Sequence, residues 1–597
     1  METSQKQDEV IAQNNEAREM NGAEMVLQSL VDQGVDTIFG YPGGAVLPIY
    51  DALYQQDRIK HVLVRHEQAA LHAAEGYARS TGKIGCALVT SGPGATNAVT
   101  GLTDALLDSI PIICISGQVP TFLIGTDAFQ EADTIGITRP CTKHNFLVKD
   151  VSELSSIMHE AFHVARSGRP GPVLIDIPKD VQFANGDYVG KSEALENIHY
   201  NPTTEPNMEA IEAAVELMAN AKCPVFYTGG GIINAGSEAS ILLRELVRET
   251  GFPITSTLMG LGAYPASDDQ WLGMLGMHGT FEANWAMHDC DVMINIGARF
   301  DDRVTGNIAK FSPNSTKIHV DIDASNINKN VNIDLAIVAD AKKTIEAMLQ
   351  VWRKKGYKPN ETALKSWWER IEEWRAVNCL AYKKDDKIIK PQYALERLQY
   401  FTNKDKRETY ITTEVGQHQM WAAQLLHFEE PNRFMTSGGL GTMGYGLPAA
   451  VGVQMAHPDS LTICVAGEAS IQMNIQELGT AIQYNLPVKI FILNNGWMGM
   501  VRQWQELLHG ERYSETHSEA LPDFVKLAEA YGGVGLRVDR VDKLDGIIEE
   551  MLATDRLTIV DVCVDQRENC FPMIPSGKAH NEMILSPDAE KFDKSLV

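Results

Sequence analysis

The sequence has no cysteine spacing that suggests a disulfide framework or a zinc site. Its nine cysteines form no Cys-x-x-Cys pair, and several lie inside apolar runs such as the one around Cys114. Cysteines of this kind are typical of small buried hydrophobes in a reducing compartment. The chain also lacks an uninterrupted apolar run near the ~20 residues that span a bilayer, and its polar N-terminus has no signal-peptide or transit-peptide character. We therefore expect a cytoplasmic protein.

Basic residues are scarce relative to acidic ones. The chain has 52 Lys and Arg against 78 Asp and Glu, so its formal net charge is −26 and its pI is about 5.1. An acidic excess of this size argues against nucleic acid or an anionic membrane as the main partner. The 44% hydrophobic and 22% charged residues are usual for a globular protein, and 597 residues allow about three or four domains.

What the sequence does contain is a regular alternation of strand-length apolar runs with helical patterns. This alternation predicts parallel α/β structure, here as three doubly wound parallel-sheet domains. The predicted division is a disordered tail (1–20), a first domain (21–185), a linker (186–207), a central domain (208–351), a charged helical connector (352–390), a third domain (391–570) and a C-terminal tail (571–597).

The first and third blocks share a pattern at a constant offset of 376 residues. The matched pairs include Leu71 with Leu447, Ala73 with Ala449, Ala74 with Ala450, Gly76 with Gly452, Leu102 with Leu478, Ala105 with Ala481 and Pro111 with Pro487. The order of helix, strand, helix and strand is also shared, so we interpret the two blocks as products of a duplication. Two related domains suggest a site between them or between subunits.

The segment from Gly467 to Asn495 is the strongest local signal. A predicted strand ends at a tight turn containing Glu468, a helix follows, and a second apolar strand ends at Asn494 and Asn495. Ligands of α/β sheets lie beyond the carboxyl ends of strands. Oxygen ligands suit Mg²⁺, which typically bridges to a phosphate, and a helix N-terminus binds phosphate. An ordinary capped strand–turn–helix would explain these residues equally well.

Eight segments in fixed order resemble one enzyme family. They are Tyr41–Ala45, Arg65–Ala70, Thr90–Asn97, Ser116–Pro120, Gly125–Gln130, Gly297–Gly306, Val415–Trp421 and Gly499–Trp504. The chain resembles, over about residues 20 to 570, the thiamine diphosphate (ThDP) enzymes of the pyruvate-oxidase and acetohydroxyacid-synthase group. The similarity is greatest to acetohydroxyacid (acetolactate) synthase catalytic subunits. The resemblance implies pyrimidine-binding, central FAD-binding and diphosphate-binding domains, in that order.

For ThDP, the resemblance implies that Glu67 and Gln130 are catalytic, with Glu67 holding a proton at the aminopyrimidine ring. Glu67 also precedes an Ala-rich helix, so an ordinary helix-capping role is an alternative. The remaining implied ThDP contacts are Gln417, His418, Gly441, Thr442, Met443, Glu468, Ala469, Ser470, Asn495 and Met500. Met443 would press the cofactor into a bent shape, although a core-filling role is commoner for methionine.

The implied Mg²⁺ ligands are the side chains of Glu468 and Asn495 and the carbonyl of Trp497. Here the chain departs from the family pattern Gly-Asp-Gly, because it reads Gly-Glu-Ala from Gly467. Glutamate is one methylene longer, and Mg²⁺ tolerates little distortion of its octahedron. Ala469 also requires a turn without a strongly positive φ. The departure puts metal affinity in question more than cofactor identity.

The central block carries glycine-rich turns and acidic residues after apolar strands, a pattern that suits a dinucleotide, although a Gly-Gly-Gly turn alone is often only a turn. The resemblance implies FAD. The implied FAD contacts are Arg169, Gly230, Thr257, Leu258, Leu275, Gly276, Met277, His278, Gly297, Ala298, Arg299, Phe300, Asp301, Asp321, Ile322, Asp340 and Ala341. In that family the flavin does no net redox work in the main reaction.

The resemblance implies a transferase that decarboxylates pyruvate and joins the hydroxyethyl unit to pyruvate or 2-ketobutyrate, the entry to valine, leucine and isoleucine synthesis. Trp504 would favour the larger acceptor, since one methylene in an apolar pocket gives about 1–3 kcal/mol of discrimination; a core tryptophan is the alternative. Further implied substrate contacts are Phe129, Lys179, Arg303 and Met500. The implied partners are a second copy, as a homodimer or tetramer with active sites between subunits, and a separate regulatory small subunit.

Two rival functions follow from the same residues. One is another ThDP enzyme, such as a pyruvate oxidase or a non-flavin catabolic acetolactate synthase. The other is a catalytically silent paralogue, which only the pair Glu468 and Ala469 supports.

Overall fold

The computed structural model describes residues 18–196 and 198–589. Residues 1–17 of the predicted tail lie outside this range, and residues 18–20 belong to a strand. The chain forms two compact units. The first holds the described residues up to Pro202 together with Gly439–His457 and Asn474–Tyr484, and the second holds Thr203–Gly438, Pro458–Met473 and the described residues from Asn485 onward.

The first six-stranded sheet is parallel and has helices on both faces. Its alternating side chains reach two separate cores: Cys86 and Leu88 pack in one, and Ala87 and Val89 pack in the other. The strands of this region are β1 (Arg18–Asn21), β2 (Thr37–Gly40), β3 (Lys60–Leu63), β4 (Gly85–Val89), β5 (Ile112–Gln118), β6 (His144–Leu147), β7 (Val173–Pro178) and β8 (Asn185–Tyr188). β1 and β8 form a separate antiparallel pair.

The helices of this region alternate with its strands, as the sequence predicts. They are α1 (Gly22–Asp32), α2 (Leu47–Tyr54), α3 (Glu67–Thr81), α4 (Pro93–Asn97), α5 (Val99–Asp108), α6 (Thr134–Thr138), α7 (Val151–Arg166), α8 (Lys179–Phe183) and α9 (Lys191–Glu196).

The central region builds a second parallel sheet. Its strands are β9 (Pro224–Thr228), β10 (Ile254–Ser256), β11 (Trp271–Met274), β12 (Val292–Ile296), β13 (Thr316–Asp321) and β14 (Leu335–Val338). The helices are α10 (Met208–Asn220), α11 (Gly230–Asn234), α12 (Ser237–Thr250), α13 (Phe281–Asp289), α14 (Asp302–Thr305), α15 (Ala341–Lys355) and α16 (Glu361–Arg375). The order β11-β10-β9-β12-β13-β14 is the arrangement 3-2-1-4-5-6 of dinucleotide-binding folds.

The third parallel sheet follows α17 (Pro391–Thr402). Its strands are β15 (Thr409–Thr413), β16 (Phe434–Met435), β17 (Leu461–Ala466), β18 (Lys489–Asn494), β19 (Val534–Val538) and β20 (Thr558–Cys563). The helices are α18 (Gln417–Leu425), α19 (Gly446–Ala456), α20 (Leu478–Gln483), α21 (Gly499–Leu508), α22 (Phe524–Tyr531) and α23 (Val541–Ala553).

The strand orders confirm the duplication. The first sheet runs β3-β2-β4-β5-β7-β6 and the third runs β16-β15-β17-β18-β20-β19, so corresponding strands occupy corresponding places. Helices α3 and α19, which carry the matched sequence positions, also pack against each other. A Cβ atom on Gly76 would lie 2.2 Å from the Ala449 carbonyl oxygen, and one on Gly452 would lie 1.9 Å from the Ala73 carbonyl oxygen. The contact is therefore reciprocal, as in a twofold interface.

Three local predictions need correction. The helix predicted after the Gly467 turn is a 3₁₀ helix, Ser470–Glu477, with a kink at Asn474. The connector is helical only in part, because α15 ends at Lys355, α16 covers Glu361–Arg375, and no helix covers 376–390. The tail prediction ran to residue 20, but β1 begins at Arg18 because it pairs with β8. Within the part of the chain that the structure describes, no helix has the length and apolarity to cross a membrane.

Candidate active site

In the third sheet the strand order reverses between β15 and β17, and ligands of such sheets bind where the order reverses. The segments that follow these two strands touch: a Cβ atom on Gly467 would lie 2.8 Å from His418 Nδ1. Ser470 Oγ closes the turn, since the Gly467 amide donates to it at 3.2 Å. Only a glycine at position 467 allows the β17 turn to approach the ring this closely.

Glu468 is the carboxylate of this turn, and it is only 1% exposed. Its Oε1 atom has no hydrogen-bond partner within the described residues. Burial raises the pKa of the Glu468 carboxyl to about 7, and the backbone amides of Asn495 and Trp497 act in the opposite direction. Ala469 does not have a positive φ, so the turn meets the condition that alanine imposes.

Asn495 follows β18 and is 6% exposed. Its Oδ1 accepts from the Trp497 amide at 3.0 Å, and its Nδ2 donates to Gln417 Oε1 at 3.3 Å. Gly499 leaves room for this pair, because a Cβ there would lie 2.1 Å from Gln417 Oε1. The predicted metal ligands Glu468 and Asn495 and the predicted ThDP contact Gln417 therefore share one edge of the sheet.

These residues fit a divalent cation that carries a diphosphate. A buried carboxylate oxygen without a partner is costly unless a cation or a donor meets it, and Glu468 Oε1 is such an atom. His418 Nε2 is likewise buried without a described partner. Burial lowers the pKa of His418 to about 3, so the imidazole is neutral and can donate or accept as its tautomer requires. Hard oxygen ligands at this place suit Mg²⁺.

In the other unit, Glu67 is the first residue of α3, but the helix is capped by a different side chain. His66 Nδ1 accepts from the Gln68 amide at 3.2 Å, which leaves the Glu67 carboxylate free of the capping role. Glu67 Oε2 accepts instead from Asn97 Nδ2 at 2.9 Å. The structure thus argues against the capping alternative for Glu67.

Gln130 lies close to the same strand end in this unit. Its φ is +59°, and a Cβ on Gly92 would lie 2.7 Å from the Gln130 carbonyl oxygen. Gly94 in turn faces Glu67, whose Oε1 would be 3.5 Å from an added Cβ. The turn after β4 therefore touches both predicted catalytic residues. Gly441, Thr442 and Met443 form the loop before α19, and Gly441 has a φ of +74°.

The predicted substrate residues fall into separate groups. Met500 and Trp504 lie on α21 and line a cleft of about 560 Å³. Trp504 Nε1 is buried without a described partner. Phe129 is 89% exposed and belongs to the other unit, as does Lys179 at the start of α8. Arg303 lies on α14, outside the cleft, with its guanidinium 3.6 Å from Asp302. The complete lining of the cleft is Met500, Val501, Trp504, Gln505, His509 and Arg512.

The predicted FAD residues of the central region all lie at or beyond the carboxyl ends of its strands. The sheet order reverses between β9 and β12, and the glycine turns after these strands touch. A Cβ on Gly231 would lie 2.7 Å from the Gly297 Cα. Gly276 and Gly297 have φ values of +101° and +69°. This close backbone packing leaves a side-chain-free cradle of the kind that dinucleotide phosphates occupy.

The side chains of the other predicted FAD contacts differ in the hydrogen bonds that they make. His278 Nδ1 donates to the Pro572 carbonyl at 3.0 Å, which leaves its buried Nε2 without a described partner. Asp321 accepts from the Asp323 amide and from Asn326, and Asp340 caps α15. Arg169 belongs to the other unit, where it donates to Ser109 Oγ at 2.8 Å. The glycine cradle and the free nitrogen of His278 fit a dinucleotide.

Sequence reasoning gave no role to several residues that contact the site. Asn97 lies within a segment that resembles the family, yet its bond to Glu67 depends on α4 packing beside α3. Gln503 and Gln424 are buried or half-buried carboxamides that contact predicted cofactor residues. Their side chains give no sequence signal, because glutamine is common on exposed helix faces.

The comparisons with known proteins agree with this geometry. Three descriptions match: "Thiamine pyrophosphate enzyme, N-terminal TPP binding domain" over residues 20–137, "central domain" over 211–348 and "C-terminal TPP binding domain" over 414–562. The chain is 50% identical to the acetolactate synthase large subunit of Haemophilus influenzae over 96% of this chain and 100% of that protein. The chain belongs to the acetolactate synthase large-subunit family of thiamine pyrophosphate enzymes.

Further relatives support the same membership. The acetolactate synthase isozyme 3 large subunit of Escherichia coli is 50% identical over 95% of this chain and 99% of that protein. The isozyme 2 large subunit of the same organism is 47% identical over 95% of this chain and 99% of its own length. As a family member the chain is a ThDP-dependent enzyme with three parallel α/β domains, as the sequence predicts.

Proposed function

We propose that the protein is an acetohydroxyacid synthase, which decarboxylates pyruvate and joins the two-carbon product to pyruvate or 2-ketobutyrate. The observation that carries the proposal is the buried Glu468 oxygen, which has no described hydrogen-bond partner where the third sheet reverses its order. His418 lies against the Gly467 turn, and the backbone amides of Asn495 and Trp497 act on the Glu468 carboxyl. A metal and diphosphate bound at this point would offset the free-energy cost of burying that oxygen without a partner.

The cofactors divide the work with the protein. ThDP supplies a carbon nucleophile and an electron sink, chemistry that amino-acid side chains do not provide. Glu468, Asn495 and the Trp497 carbonyl would hold Mg²⁺, and Gln417, His418, Ser470 and the loop Gly441–Met443 would contact ThDP. The central cradle would hold FAD, with His278 Nε2 as a contact.

The protein's own acid–base group is the Glu67 carboxyl. Asn97 Nδ2 fixes one of its oxygens at 2.9 Å, which leaves the other free to hold a proton at a ring nitrogen. Gln130, fixed by the left-handed backbone beside Gly92, would donate to developing negative charge on the substrate oxygen. Such oriented donors are worth most where water is excluded.

Acceptor choice would depend on the cleft along α21. Trp504 presents a broad apolar face there, and such a wall favours the ethyl group of 2-ketobutyrate over the methyl group of pyruvate. Phe129, Lys179, Arg303 and Met500 would complete the substrate contacts. Large exposed apolar side chains on the first unit, including Phe122, Phe129 and Phe183, support a homodimer or tetramer with active sites between subunits.

The cellular location and the partner subunit belong to the same proposal of an acetohydroxyacid synthase. The relatives are named large subunits, which supports a separate regulatory small subunit. The nine cysteines are free thiols, which supports a cytoplasmic location. The proposed domain limits are 21–185, 208–351 and 391–570. The tail 571–597 is proposed to lie over the active site, and its residues 590–597 lie outside the described range.

One experiment tests the assignment. The purified protein is incubated with ThDP, Mg²⁺, FAD, pyruvate and 2-ketobutyrate, and both acetohydroxyacids are quantified while the flavin spectrum is recorded. We expect both products, with 2-aceto-2-hydroxybutyrate in excess at equal acceptor concentrations. Flavin bleaching with peroxide release would indicate a pyruvate oxidase. Turnover without bound flavin would indicate a catabolic acetolactate synthase, and the absence of both products with cofactors bound would refute the proposal.

A further inference from the structure

We propose that the segment Glu568–Ile574, here called the strap, couples the predicted diphosphate site to the predicted flavin site, with Gln503 and Gln424 as the positioning residues that bond to its adjacent middle residues Cys570 and Phe571. The inference rests on the proposed function, since it takes the two cofactor sites from it. It adds a physical connection between them and a role for two residues outside the predicted sites.

At the diphosphate end, the side chain of Gln503 bonds to the strap as a second backbone would. Its Oε1 accepts from the Cys570 amide at 2.7 Å, and its Nε2 donates to the Cys570 carbonyl at 3.0 Å. The same Oε1 accepts from Gln417 Nε2 at 2.8 Å. Gln417 in turn accepts from Asn495 at 3.3 Å. A continuous chain of hydrogen bonds thus runs from the strap to a predicted metal ligand.

Arg502 fixes the first residues of the strap from the same helix. Its Nη2 donates to the Glu568 carbonyl at 2.8 Å and to Asn569 Oδ1 at 2.7 Å. Gln417 Nε2 also donates to the Glu568 carbonyl, at 3.1 Å. Arg502 and Gln503 are both fully buried, so these bonds form where an unpaired polar group costs about 1–3 kcal/mol.

At the flavin end, the strap is bonded to the loop that follows β11. The Ile574 amide donates to the Met277 carbonyl at 2.8 Å, and His278 Nδ1 donates to the Pro572 carbonyl at 3.0 Å. Gln424 Nε2 joins the two segments directly. It donates to the His278 carbonyl at 2.8 Å and to the Phe571 carbonyl at 3.1 Å.

One helix bonds to the strap at two places. Gln417 and Gln424 both lie on α18, seven residues apart, which is about two helical turns, so they share one face. Along this face Gln417 meets Glu568 and Gln424 meets Phe571. The strap is therefore bonded to this helix at Glu568 and at Phe571. Cys570 between these bonds and Met573 beyond them are fully buried. Ordering of either end reduces the freedom of the other.

The consequence is a measurable coupling between two ligands. A cofactor that orders one end of the strap lowers the cost of ordering the other end, so each cofactor raises the affinity for the other by the same factor. Couplings of this kind usually lie at about 5–150-fold. This would also give a role to a flavin that does no net redox work.

The test measures both affinities in the cofactor-free full-length protein. The dissociation constant of ThDP with Mg²⁺ is determined from tryptophan fluorescence, which Trp497 and Trp504 report, without FAD and with saturating FAD. The FAD constant is then determined without and with ThDP and Mg²⁺. We expect each cofactor to tighten the other at least about fivefold, with equal factors in the two directions.

Three size-matched substitutions distinguish coupling from general support. Gln503→Met and Gln424→Met remove the strap bonds while keeping the side-chain volume, and both should bring the coupling factor to about one. Gln505→Met is the control. Gln505 lies on the same helix, and its side chain bonds to Ser514 and Thr516 and not to the strap, so the coupling factor should stay at the wild-type value. If Gln503 and Gln424 only supported the fold, their substitution would weaken the affinities for ThDP and for FAD alike. The coupling factor between the two cofactors would then stay unchanged.

The outcomes separate the strap from the proposed function. Failure of the wild type to bind ThDP or FAD would refute the cofactor assignment itself. Binding of both with a coupling factor near one, or a wild-type factor in the Gln503 and Gln424 variants, would overturn the strap alone. If Gln503→Met does not fold, Gln424→Met decides the matter, because Gln424 is only half-buried.

Discussion

At the offset that relates the first and third sheets, Glu67 corresponds to Met443 and Glu468 corresponds to Gly92. The strand orders are the same, so each pair occupies equivalent places in two copies of one scaffold. In the first copy the acid is the first residue of α3, and the turn after β4 carries Gly92 at the position of Glu468. In the third copy the loop before α19 carries a methionine and the turn after β17 carries the acid. Duplication supplied two equivalent turns, and divergence gave each copy one carboxylate at a different turn.

A second pair of equivalent carboxyls differs in its surroundings. Asp176 and Asp561 are each the fourth residue of the corresponding strands β7 and β20, and each is 1% exposed. Asp176 is held by the uncharged Ser116 and Gln118 at 2.6 and 2.9 Å, and burial raises its pKa to about 7. Burial raises the pKa of Asp561 as well, and the rise is opposed by the Asn494 amide at 2.8 Å and then by the guanidinium of Arg537 at 3.4 Å. Burial therefore raises the pKa of the carboxyl in both copies, but only the carboxyl of the third sheet has a cation beside it.

The largest effect is expected at the third-copy turn. Glu468→Ala removes the only side-chain carboxylate of the proposed metal site, so activity should nearly disappear and Mg²⁺ affinity should fall by more than 100-fold, beyond the loss typical of supporting residues. Isothermal titration with Mg²⁺ and ThDP measures the affinity. Glu468→Asp, with the ligand commoner in the family, should keep or tighten Mg²⁺ binding. An unaffected Glu468→Ala enzyme would show that the metal is bound elsewhere.

The next effect is expected at the start of α3. Glu67→Gln keeps the size and the contact with Asn97 but not the ionisable proton, so kcat should fall by about 10²–10⁴-fold, as for loss of a general acid–base group. ThDP affinity should change little. Its counterpart, Met443→Leu, preserves apolar volume and should change kcat far less. Equal falls in kcat for Glu67→Gln and Met443→Leu would contradict the proposed division of roles between the two copies.

The equivalent carboxyls predict different pH dependences of stability. The pKa of Asp176 is raised on folding, so its stabilising contribution is complete below its unfolded value and is lost as pH rises through about 7. Asp176→Asn mimics the protonated form and should flatten the stability curve between pH 4 and 7, by up to about 4 kcal/mol. The pKa of Asp561 is also raised by burial, but Asn494 and Arg537 oppose the rise, so Asp561→Asn should flatten the curve less.

Chemical denaturation of the wild type and of both variants at several pH values measures this difference. The comparison between the variants cancels contributions from other buried acids, such as Glu282 and Glu477, whose pKa values are also raised to about 7. Parallel curves of unfolding free energy against pH for the two variants would mean that the ion pair of Asp561 does not change the pH dependence of stability.

The smallest effect concerns the reciprocal helix contact. Gly76→Ala and Gly452→Ala should each lower the free energy of unfolding by about 1–3 kcal/mol, because overpacking forces the backbones apart. Both should act alike, since each added Cβ would meet a carbonyl oxygen of the other helix, at 2.2 and 1.9 Å. Thermal melts measure the loss.

Gly546→Ala on α23 is the matched control. An added Cβ there meets nothing within 4 Å, so the substitution should be neutral or stabilising by up to about 1 kcal/mol. A clear asymmetry between Gly76→Ala and Gly452→Ala would show that the contact has lost its twofold character.

Much of the fold could be predicted because its signals are local. The strand ending at Ala466, the helix after Glu67 and the turns at Gly229 and Gly297 follow from apolar periodicity and turn chemistry over a few residues. The kink at Asn474 and the 3₁₀ geometry after Ser470 could not be predicted this way. Their sequence is compatible with an α-helix, and the backbone conformation there depends on packing.

The candidate site was predictable only as a list of residues. The sequence by itself determined the order of the elements, the duplication, the family and the presence of Glu67, Glu468 and Asn495 beside strand ends. Only the tertiary structure decided that His66 caps α3, that Asn97 holds Glu67, and that Gln503 and Gln424 bond to the strap. The reason is physical: local periodicity encodes each element, whereas a hydrogen bond between Gln417 and Gln503, 86 residues apart, exists only once the chain has packed them together.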